Sequence, residues 1–229
     1  MKVVITIFSI VLTIGIYSMS LKIHRKYPSP FTMPIFFCTV IIICVLLMTG
    51  ITFDQYRIAK DIMTYLLGPA TVALAVPLYK QKDLIVKHLI PLLIGLMIGT
   101  LATIVSAVYL SLWTGLSKEI VKAFSIKSIT IPIASEVAHI IEANPTLVAG
   151  FVMITGMLGA MFGSMLLNIA KIFHPIARGL SFGTISHGIG TAQAMKEGDI
   201  QGATSGVAIG LTGIFTSLMI PWLLPLLVN

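Results

Sequence analysis

Long apolar segments that contain no charged residue constrain this chain more than any other feature of its sequence. Phe31 to Thr49, Ala143 to Ala170 and Ile200 to Val228 each lack Asp, Glu, Lys and Arg. About 20 consecutive apolar residues are enough for a helix to cross the hydrocarbon core of a membrane. Only 10% of the 229 residues are charged and 57% are hydrophobic, a composition that excludes a soluble domain of this size. The sequence therefore predicts an all-α polytopic membrane protein.

The chain divides into about seven predicted transmembrane helices and one segment that does not cross. The predicted crossings are Val3 to Leu21, Phe31 to Thr49, Ile62 to Tyr79, His88 to Ser117, Ala143 to Ala170, Arg178 to Glu197 and Ile200 to Val228. Lys118 to Glu142 is rich in charged residues, and its apolar piece, 128–135, is too short to cross as a helix. We expect an amphipathic helix there that leads into a re-entrant or half-helix element.

Two predicted crossings carry helix breakers, Gly68-Pro69 in one and Gly183, Gly188 and Gly190 in the other. Proline removes a backbone donor, and glycine weakens a helix interior by about 1 kcal/mol relative to alanine. Interrupted helices in corresponding positions of two oppositely oriented halves are typical of secondary transporters. The predicted organisation is an N-terminal extra span and basic loop (1–30), a first inverted repeat (31–117), the amphipathic or re-entrant link (118–142) and a second inverted repeat (143–229).

The segment from Arg178 to Glu197 is the strongest candidate for a functional site inside the membrane. Its centre holds one ionisable side chain, His187, among glycines and hydroxyl-bearing residues. An ionisable residue within a membrane segment is functional by default, and an imidazole titrates close enough to neutral pH to carry a proton. The alternative is a close helix-packing surface, in which the glycines admit a neighbouring helix and His187 is a satisfied buried imidazole.

Three segments combine a helix breaker with hydroxyl groups, and together they define the predicted ligand site. They are residues 127–132, 186–191 and, third, 68–71. The free amide donors and positive ends of broken helices suit an anion such as a carboxylate, so the predicted ligand is a small organic acid anion. Lys127 or protonated His187 would balance its charge, although snorkelling of Lys127 to lipid headgroups is an equally good interpretation. The predicted binding residues are Pro69, Thr71, Lys127, Ser128, Thr130, Pro132, Ser186, His187, Gly188, Gly190 and Thr191.

Other classes of function find less support in the sequence. Ser186 and His187 are adjacent on one backbone and rarely face each other, so we predict no catalytic residue and no enzyme. No set of Cys and His residues has the spacing of metal ligands, and we expect neither a metal nor a cofactor. The formal net charge of +7 comes from basic residues in short loops. Such loops indicate membrane topology and contact with the lipid bilayer, and we expect no nucleic-acid partner.

Four stretches of the chain carry a family resemblance. They are TGITFDQY (49–56), PATVALAVPLY (69–79), KSITIPIA (127–134) and ARGLSFGTISHGIGTA (177–192). In these residues, and in order over nearly its whole length, the sequence resembles the LrgB/CidB family of antiholin-like bacterial membrane proteins.

The resemblance implies a multi-pass protein of the bacterial cell (inner) membrane. Family members were described as holin-like or antiholin-like proteins that act with a smaller membrane partner of the LrgA/CidA type to modulate murein hydrolase activity and cell lysis. Other members, including a plastid relative, look like carriers of small carboxylates such as pyruvate, glycolate or glycerate.

Two interpretations of function follow. Broken helices around buried hydroxyls and a histidine favour a carrier of small monocarboxylates that works by alternating access, as a homodimer with its C-terminus in the cytoplasm. The alternative is a holin/antiholin-like regulator of murein hydrolase activity and autolysis that acts with a small LrgA/CidA-type membrane protein. Gly159 and Gly163 form a small-residue face on which helices pack closely, and that face would serve oligomerisation in the second case.

Overall fold

The computed structural model describes residues 2–66, 69, 72 and 75–228. Every regular element in these ranges is a helix. The chain forms two compact units, Met1–Ala73 and Leu74–Asn229, which we describe separately. The all-α polytopic architecture expected from the sequence is confirmed.

The first unit contains three α-helices, α1 (Lys2–Lys26), α2 (Pro34–Thr49) and α3 (Phe53–Tyr65). The turn between α1 and α2 is fixed by Ser29 and Thr32, each of which hydrogen-bonds the backbone of the other. A hydrogen bond of 3.0 Å between the hydroxyls of Thr13 and Tyr56 joins α1 to α3. Both α2 and α3 therefore pack on α1.

The second unit holds the remaining helices. They are α4 (Ala75–Lys80), α5 (Lys82–Lys87), α6 (Leu89–Trp113), α7 (Lys118–Ser125), α8 (Ile131–Ile140), α9 (Pro145–Ile169), α10 (Pro175–Glu197) and α11 (Asp199–Val228). The most extensive helix–helix contact is between α10 and α11, and α9 lies against α10 and α8.

Four helices of the described ranges are long and apolar enough to cross a membrane: Val3–Lys26, Leu89–Trp113, Pro145–Ile169 and Asp199–Val228. They correspond to the first, fourth, fifth and seventh predicted crossings. The second, α2, is apolar but has only 16 residues. The third was placed at Ile62 to Tyr79, whereas α3 starts earlier, because Thr52 and Gln55 cap its first turn reciprocally. Gly68 lies outside the described residues.

The sixth predicted crossing is wrong, because α10 reverses direction at His187. The backbone of His187 has φ 41° and ψ −136°, which divides the helix into two arms. Arg178 and Glu197 would stand about 28 Å apart on a continuous helix, yet Nε of Arg178 lies 2.6 Å from Oε2 of Glu197. We call Pro175–Glu197 the second hairpin.

The arms of the second hairpin lie close together because Gly190 has no side chain. A Cβ atom at Gly190 would stand 2.7 Å from the carbonyl oxygen of Phe182, eight residues earlier in the other arm. The sequence shows that the helix is weak here, but weakness alone does not distinguish a kink from a reversal.

The region expected to contain a half-helix forms a hairpin as well. Its arms are α7 and α8, and residues 126–130 are its tip; we call it the first hairpin. Nδ2 of Asn144 donates to Oε1 of Glu119 at 3.4 Å, and Nζ of Lys122 lies 3.9 Å from Oε2 of Glu142. The first arm therefore lies beside the residues that follow the second arm.

The two hairpins start from opposite ends of α9, which is about 37 Å long. The base of the first hairpin lies at the Asn144 end. The base of the second lies at the other end, where Nη1 of Arg178 donates to Oδ1 of Asn168 at 2.8 Å. A spanning helix followed by a hairpin thus occurs twice, in opposite orientations. The division into repeats at 31–117 and 143–229 stays a prediction.

We expect cysteines introduced on either side of the second hairpin to be labelled from the same face of the membrane. Cys38 and Cys44 would be replaced by serine, and Phe173→Cys and Lys196→Cys, both at exposed positions, tested with a membrane-impermeant maleimide. Ile140→Cys, at the base of the first hairpin and 62% exposed, serves as the control and should react from the opposite face. Reaction of positions 173 and 196 from different faces would contradict the hairpin.

Candidate ligand site at the hairpin tips

The tip of the second hairpin is held against α9 by its histidine. The backbone oxygen of Val152 accepts a hydrogen bond from Nε2 of His187 at 3.0 Å, so the proton of the neutral ring is on Nε2. His187 is only 5% exposed. This arrangement matches the packing interpretation of His187, in which the imidazole is buried and satisfied.

The hydroxyl of Thr191 stabilises the break in α10. It donates to the backbone oxygen of His187 at 3.0 Å, which satisfies a carbonyl next to the reversal. Oγ of Ser205, on α11, lies 2.7 Å from Oγ1 of Thr191 and donates to it, since the proton of Thr191 is already used. The carbonyl of His187 is thus satisfied by a protein group, as a break inside the membrane requires.

Three glycines of α9 make room for the first arm of the second hairpin. Gly163 faces the ring of Phe182, Gly159 faces the Ser186 side chain, and Gly156 faces His187. A Cβ atom at Gly156 would stand 2.7 Å from Nε2 of His187. The close-packing face predicted from Gly159 and Gly163 is therefore covered within the chain.

The tip of the first hairpin carries a cation. Nζ of Lys127 lies 5.1 Å from the centroid of the Phe124 ring and donates to Oγ of Ser128 at 3.4 Å. Ser128 is 6% exposed. None of the carboxylates in the described ranges pairs with Lys127.

Thr130 and Pro132 begin the second arm of the first hairpin. Thr130 is the N-cap of α8, its side chain makes no capping bond, and Pro132 lies in the first turn. The first-turn amides of a helix carry partial positive charge and suit an anion. Lys127 and this uncapped helix end together make the tip electropositive.

Both tips approach the same turn of α9. Phe151 packs edge-on against Phe124, with 5.2 Å between the ring centroids, and the next residue, Val152, accepts the bond from His187. The Val152 side chain belongs to the buried cluster that includes Ile126 and Ile129 of the first tip. The structure thus places the predicted residues of 127–132 and 186–191 on two sides of one turn.

The place of Pro69 and Thr71 in the site stays a prediction. Pro69 is exposed and belongs to the first compact unit, and Thr71 lies outside the described residues. At the second tip, no atom of the described residues lies within 4 Å of the position that a Cβ atom of Gly188 would occupy. The candidate site in the described residues therefore consists of the two hairpins, α9 and, through Ser205, α11.

The sequence did not predict that α11 packs against the second hairpin. Its buried face repeats every fourth residue, a spacing that places side chains on one side of a helix. The residues of this face are Thr204, Ala208, Thr212, Thr216, Ile220 and Leu224. Oγ1 of Thr212 and Oγ1 of Thr100, on α6, are buried without a hydrogen-bond partner in the described ranges.

The base of the second hairpin is closed by Arg178 and Glu197. Nε and Nη2 of Arg178 donate to the two carboxylate oxygens of Glu197 at 2.6 and 2.8 Å, and Ser164 of α9 donates to Oε1 at 2.6 Å. Burial alone raises the pKa of Glu197, but the bonds from Arg178 and Ser164 and the guanidinium charge outweigh burial and hold that pKa below its ordinary value. The sequence identified Arg178 and Glu197 only as the ends of the candidate segment and did not predict that they pair.

Comparison with known proteins identifies the family of the chain. Residues 13–226 match the model of the LrgB-like family. The chain belongs to this family. It is 32% identical to the "Holin-like protein CidB" of Staphylococcus aureus, with 94% of each chain covered, and 33% identical to the protein of the same name from Staphylococcus epidermidis, with 95% of each covered. No solved structure matches.

A further relative is the "Uncharacterized protein YxaC" of Bacillus subtilis, which is 33% identical over 95% of this chain and 94% of the relative. The name of the two CidB relatives favours the holin-like alternative, and it does not mention a transported carboxylate. Membership of the family together with the four spanning helices makes this a multi-pass protein of a bacterial membrane.

Neutralising either partner of the Arg178–Glu197 pair should destabilise the protein. We expect Arg178→Gln and Glu197→Gln each to lower the free energy of unfolding by about 3 kcal/mol, because each leaves an unpaired charge in a mostly buried place. The double variant should lose less than the sum of the two. Asp61→Asn is the control, since its partners Arg57 and Lys60 are 64% and 45% exposed and exposed pairs contribute about 0.5 kcal/mol each. Additive losses would show that the pair does not hold the hairpin.

The pair should also make stability depend on pH. Because the folded pKa of Glu197 lies below its unfolded value, its stabilisation is complete above the unfolded pKa, about 4.3, and is lost as pH falls through the folded pKa. The difference in thermal stability between the unsubstituted protein and Glu197→Gln should shrink below about pH 4. A difference that is constant from pH 7 to pH 3 would contradict this assignment.

Gly159→Ala should lower the melting temperature of the purified protein in detergent, because its methyl group collides with Ser186. Overpacking of this kind costs about 1–3 kcal/mol, against a gain of about 1 kcal/mol in helix propensity. Gly150→Ala on the same helix is the matched control, since no atom of the described residues lies within 4 Å of its Cβ position, and it should stabilise slightly. Equal effects of the two substitutions would contradict the packing described here.

Proposed function

We propose that this protein has the holin-like cellular role named for its CidB relatives, and that its molecular activity is the passage of small monocarboxylates, such as pyruvate or glycolate, by alternating access. The cellular role rests on the names of the relatives. The molecular activity rests on one structural observation, the convergence of two oppositely oriented hairpins on the same turn of α9, one of them carrying a lysine that pairs with none of the carboxylates in the described ranges.

Lys127 is the group that supports an anionic ligand best. A charged side chain in a low-dielectric place is costly unless an opposite charge compensates it, and no carboxylate of the described part does so. A bound carboxylate would supply one negative charge and accept bonds from Lys127 and Ser128. His187, in contrast, already uses Nε2 on Val152, so we assign it to holding the second tip in position.

The opposite orientation of the hairpins supports alternating access. In transporters with inverted repeats, discontinuous helices place their ends at a site near the membrane midplane, and one half moves against the other around it. Here each tip is reached from a different end of α9, so withdrawal of one hairpin would open the site to one side only.

A direct role as holin-like regulator of murein hydrolase activity and autolysis, with a small LrgA/CidA-type membrane partner, is the second candidate. The names of the CidB relatives favour it. The Gly159–Gly163 face is covered by the second hairpin, so homodimer or partner contacts in either case would use other surfaces. Flux of an organic acid alters the energised state of the membrane, which would connect the carrier activity to autolysis.

Reconstitution of the purified protein into liposomes tests the proposal. We expect saturable uptake of labelled pyruvate or glycolate under an imposed pH gradient, with acetate tested in parallel. Lys127→Gln should reduce uptake by about 30-fold or more, because loss of a buried charged partner costs at least 2 kcal/mol. Lys171→Gln, at an exposed position, should leave uptake unchanged.

Other outcomes separate the candidates. If the liposomes release small and large dyes alike and take up no acid, the carrier proposal is wrong and the lesion-forming alternative replaces it. If uptake is unaffected by Lys127→Gln, the site lies elsewhere. If neither uptake nor leakage occurs, the assay is repeated with the small partner protein present, and uptake or leakage in that mixture decides between the two candidates.

A further inference from the structure

A cavity of about 440 Å³ lies at the base of the first hairpin, outside the site at the tips. It has an apolar wall and a charged rim. The rim includes Lys118, Lys122 and Glu142, and the wall includes Pro221, Leu224 and Pro225. Nothing in the proposed function uses these residues.

The cavity lies at the level where spanning helices end. Helix α6 ends at Trp113, α9 begins at Pro145 and α11 ends at Val228, all at this end of the second unit. The side chains of Trp113 and Trp222 are 85% and 79% exposed. Exposed tryptophans at the ends of spanning helices are typical of the membrane–water interface. The cavity is therefore placed at the depth of lipid headgroups.

The rim of the cavity carries net positive charge. Glu142 is 90% exposed and stands 3.9 Å from Nζ of Lys122, a geometry that stabilises little in water. Lys118 pairs with none of the carboxylates in the described ranges. Two lysines thus face one weakly held carboxylate, which leaves charge available for an anionic group.

The wall of the cavity suits the apolar part of a lipid. Pro221 and Pro225 lie inside α11, and proline lacks the amide that would bond the carbonyl four residues earlier. The carbonyls of Ser217 and Pro221 therefore lose their usual helical donors. Leu224 and the two proline rings form the apolar surface against which an acyl chain would pack.

We propose that this cavity binds an anionic phospholipid, with its phosphate on Lys118 and Lys122 and its glycerol and acyl region against the prolines of α11. Basic pockets between transmembrane helices bind lipid headgroups in this way. The lipid would fix the base of the first hairpin to the end of α11. This inference is independent of the proposed carrier activity.

The test compares phosphatidylglycerol with phosphatidylcholine on the purified full-length protein in detergent, by native mass spectrometry and thermal unfolding. Phosphatidylglycerol should bind more tightly and raise the melting temperature more, and both effects should weaken with added salt. Lys118→Gln/Lys122→Gln should weaken its binding by about 30-fold. Lys87→Gln, an exposed lysine at the other end of α6, should not. Glu142→Gln removes the competing carboxylate and should tighten binding.

Three results would overturn the assignment. The first is equal binding of the two lipids, and the second is unchanged phosphatidylglycerol binding in the double variant. The third is stabilisation by inorganic phosphate or pyruvate equal to that by phosphatidylglycerol, which would make the cavity a site for free anions. Liposome uptake is measured separately, so failure here leaves the proposed function intact.

Discussion

Backbone groups inside a hydrocarbon core must find their hydrogen-bond partners within the protein. The break in α10 occurs where the protein supplies such partners. The carbonyl of His187 has Thr191, and the imidazole has the carbonyl of Val152. Bidentate bonds between Arg178 and Glu197 then hold the base of the second hairpin closed. Without these three interactions, the glycines of α10 would weaken the helix but would not determine the direction of the chain after the break.

Sequence reasoning succeeded where the relevant physics is local. Apolar length alone identified the helices from Leu89, Pro145 and Asp199, because crossing a membrane needs only enough consecutive apolar residues. The weakness of α10 near its glycines was also evident, since helix propensity belongs to single residues. These signals are contained in short windows of sequence.

The direction of the chain after the break could not be predicted in the same way. The reversal depends on Glu197 meeting Arg178 and on Gly190 admitting the backbone of Phe182, and both contacts join residues distant in sequence. One usable signal was present. An arginine and a glutamate at opposite ends of an otherwise apolar segment are costly apart and favourable together. The sequence also contained a signal for α11. Residues at every fourth position of this helix are buried, and that spacing indicates the face that packs inside the protein.

The structure also separates two residues that the sequence treated as equivalent sources of positive charge. His187 is committed to α9 by a hydrogen bond, whereas Lys127 has an aromatic ring and a hydroxyl but no counter-charge in the described ranges. The proposed function gives the two residues different tasks: His187 holds the second tip in position, and Lys127 compensates the charge of a ligand. The glycines of α9 serve the first task.

Val152 has a consequence for how the two halves of the second unit influence each other. Its carbonyl accepts a hydrogen bond from the second hairpin, and its side chain packs in the buried cluster that includes the tip of the first hairpin. In the alternating-access mechanism proposed here, a displacement of one tip would change the surroundings of the other through this residue, and thermodynamic reciprocity would make any such influence equal in both directions.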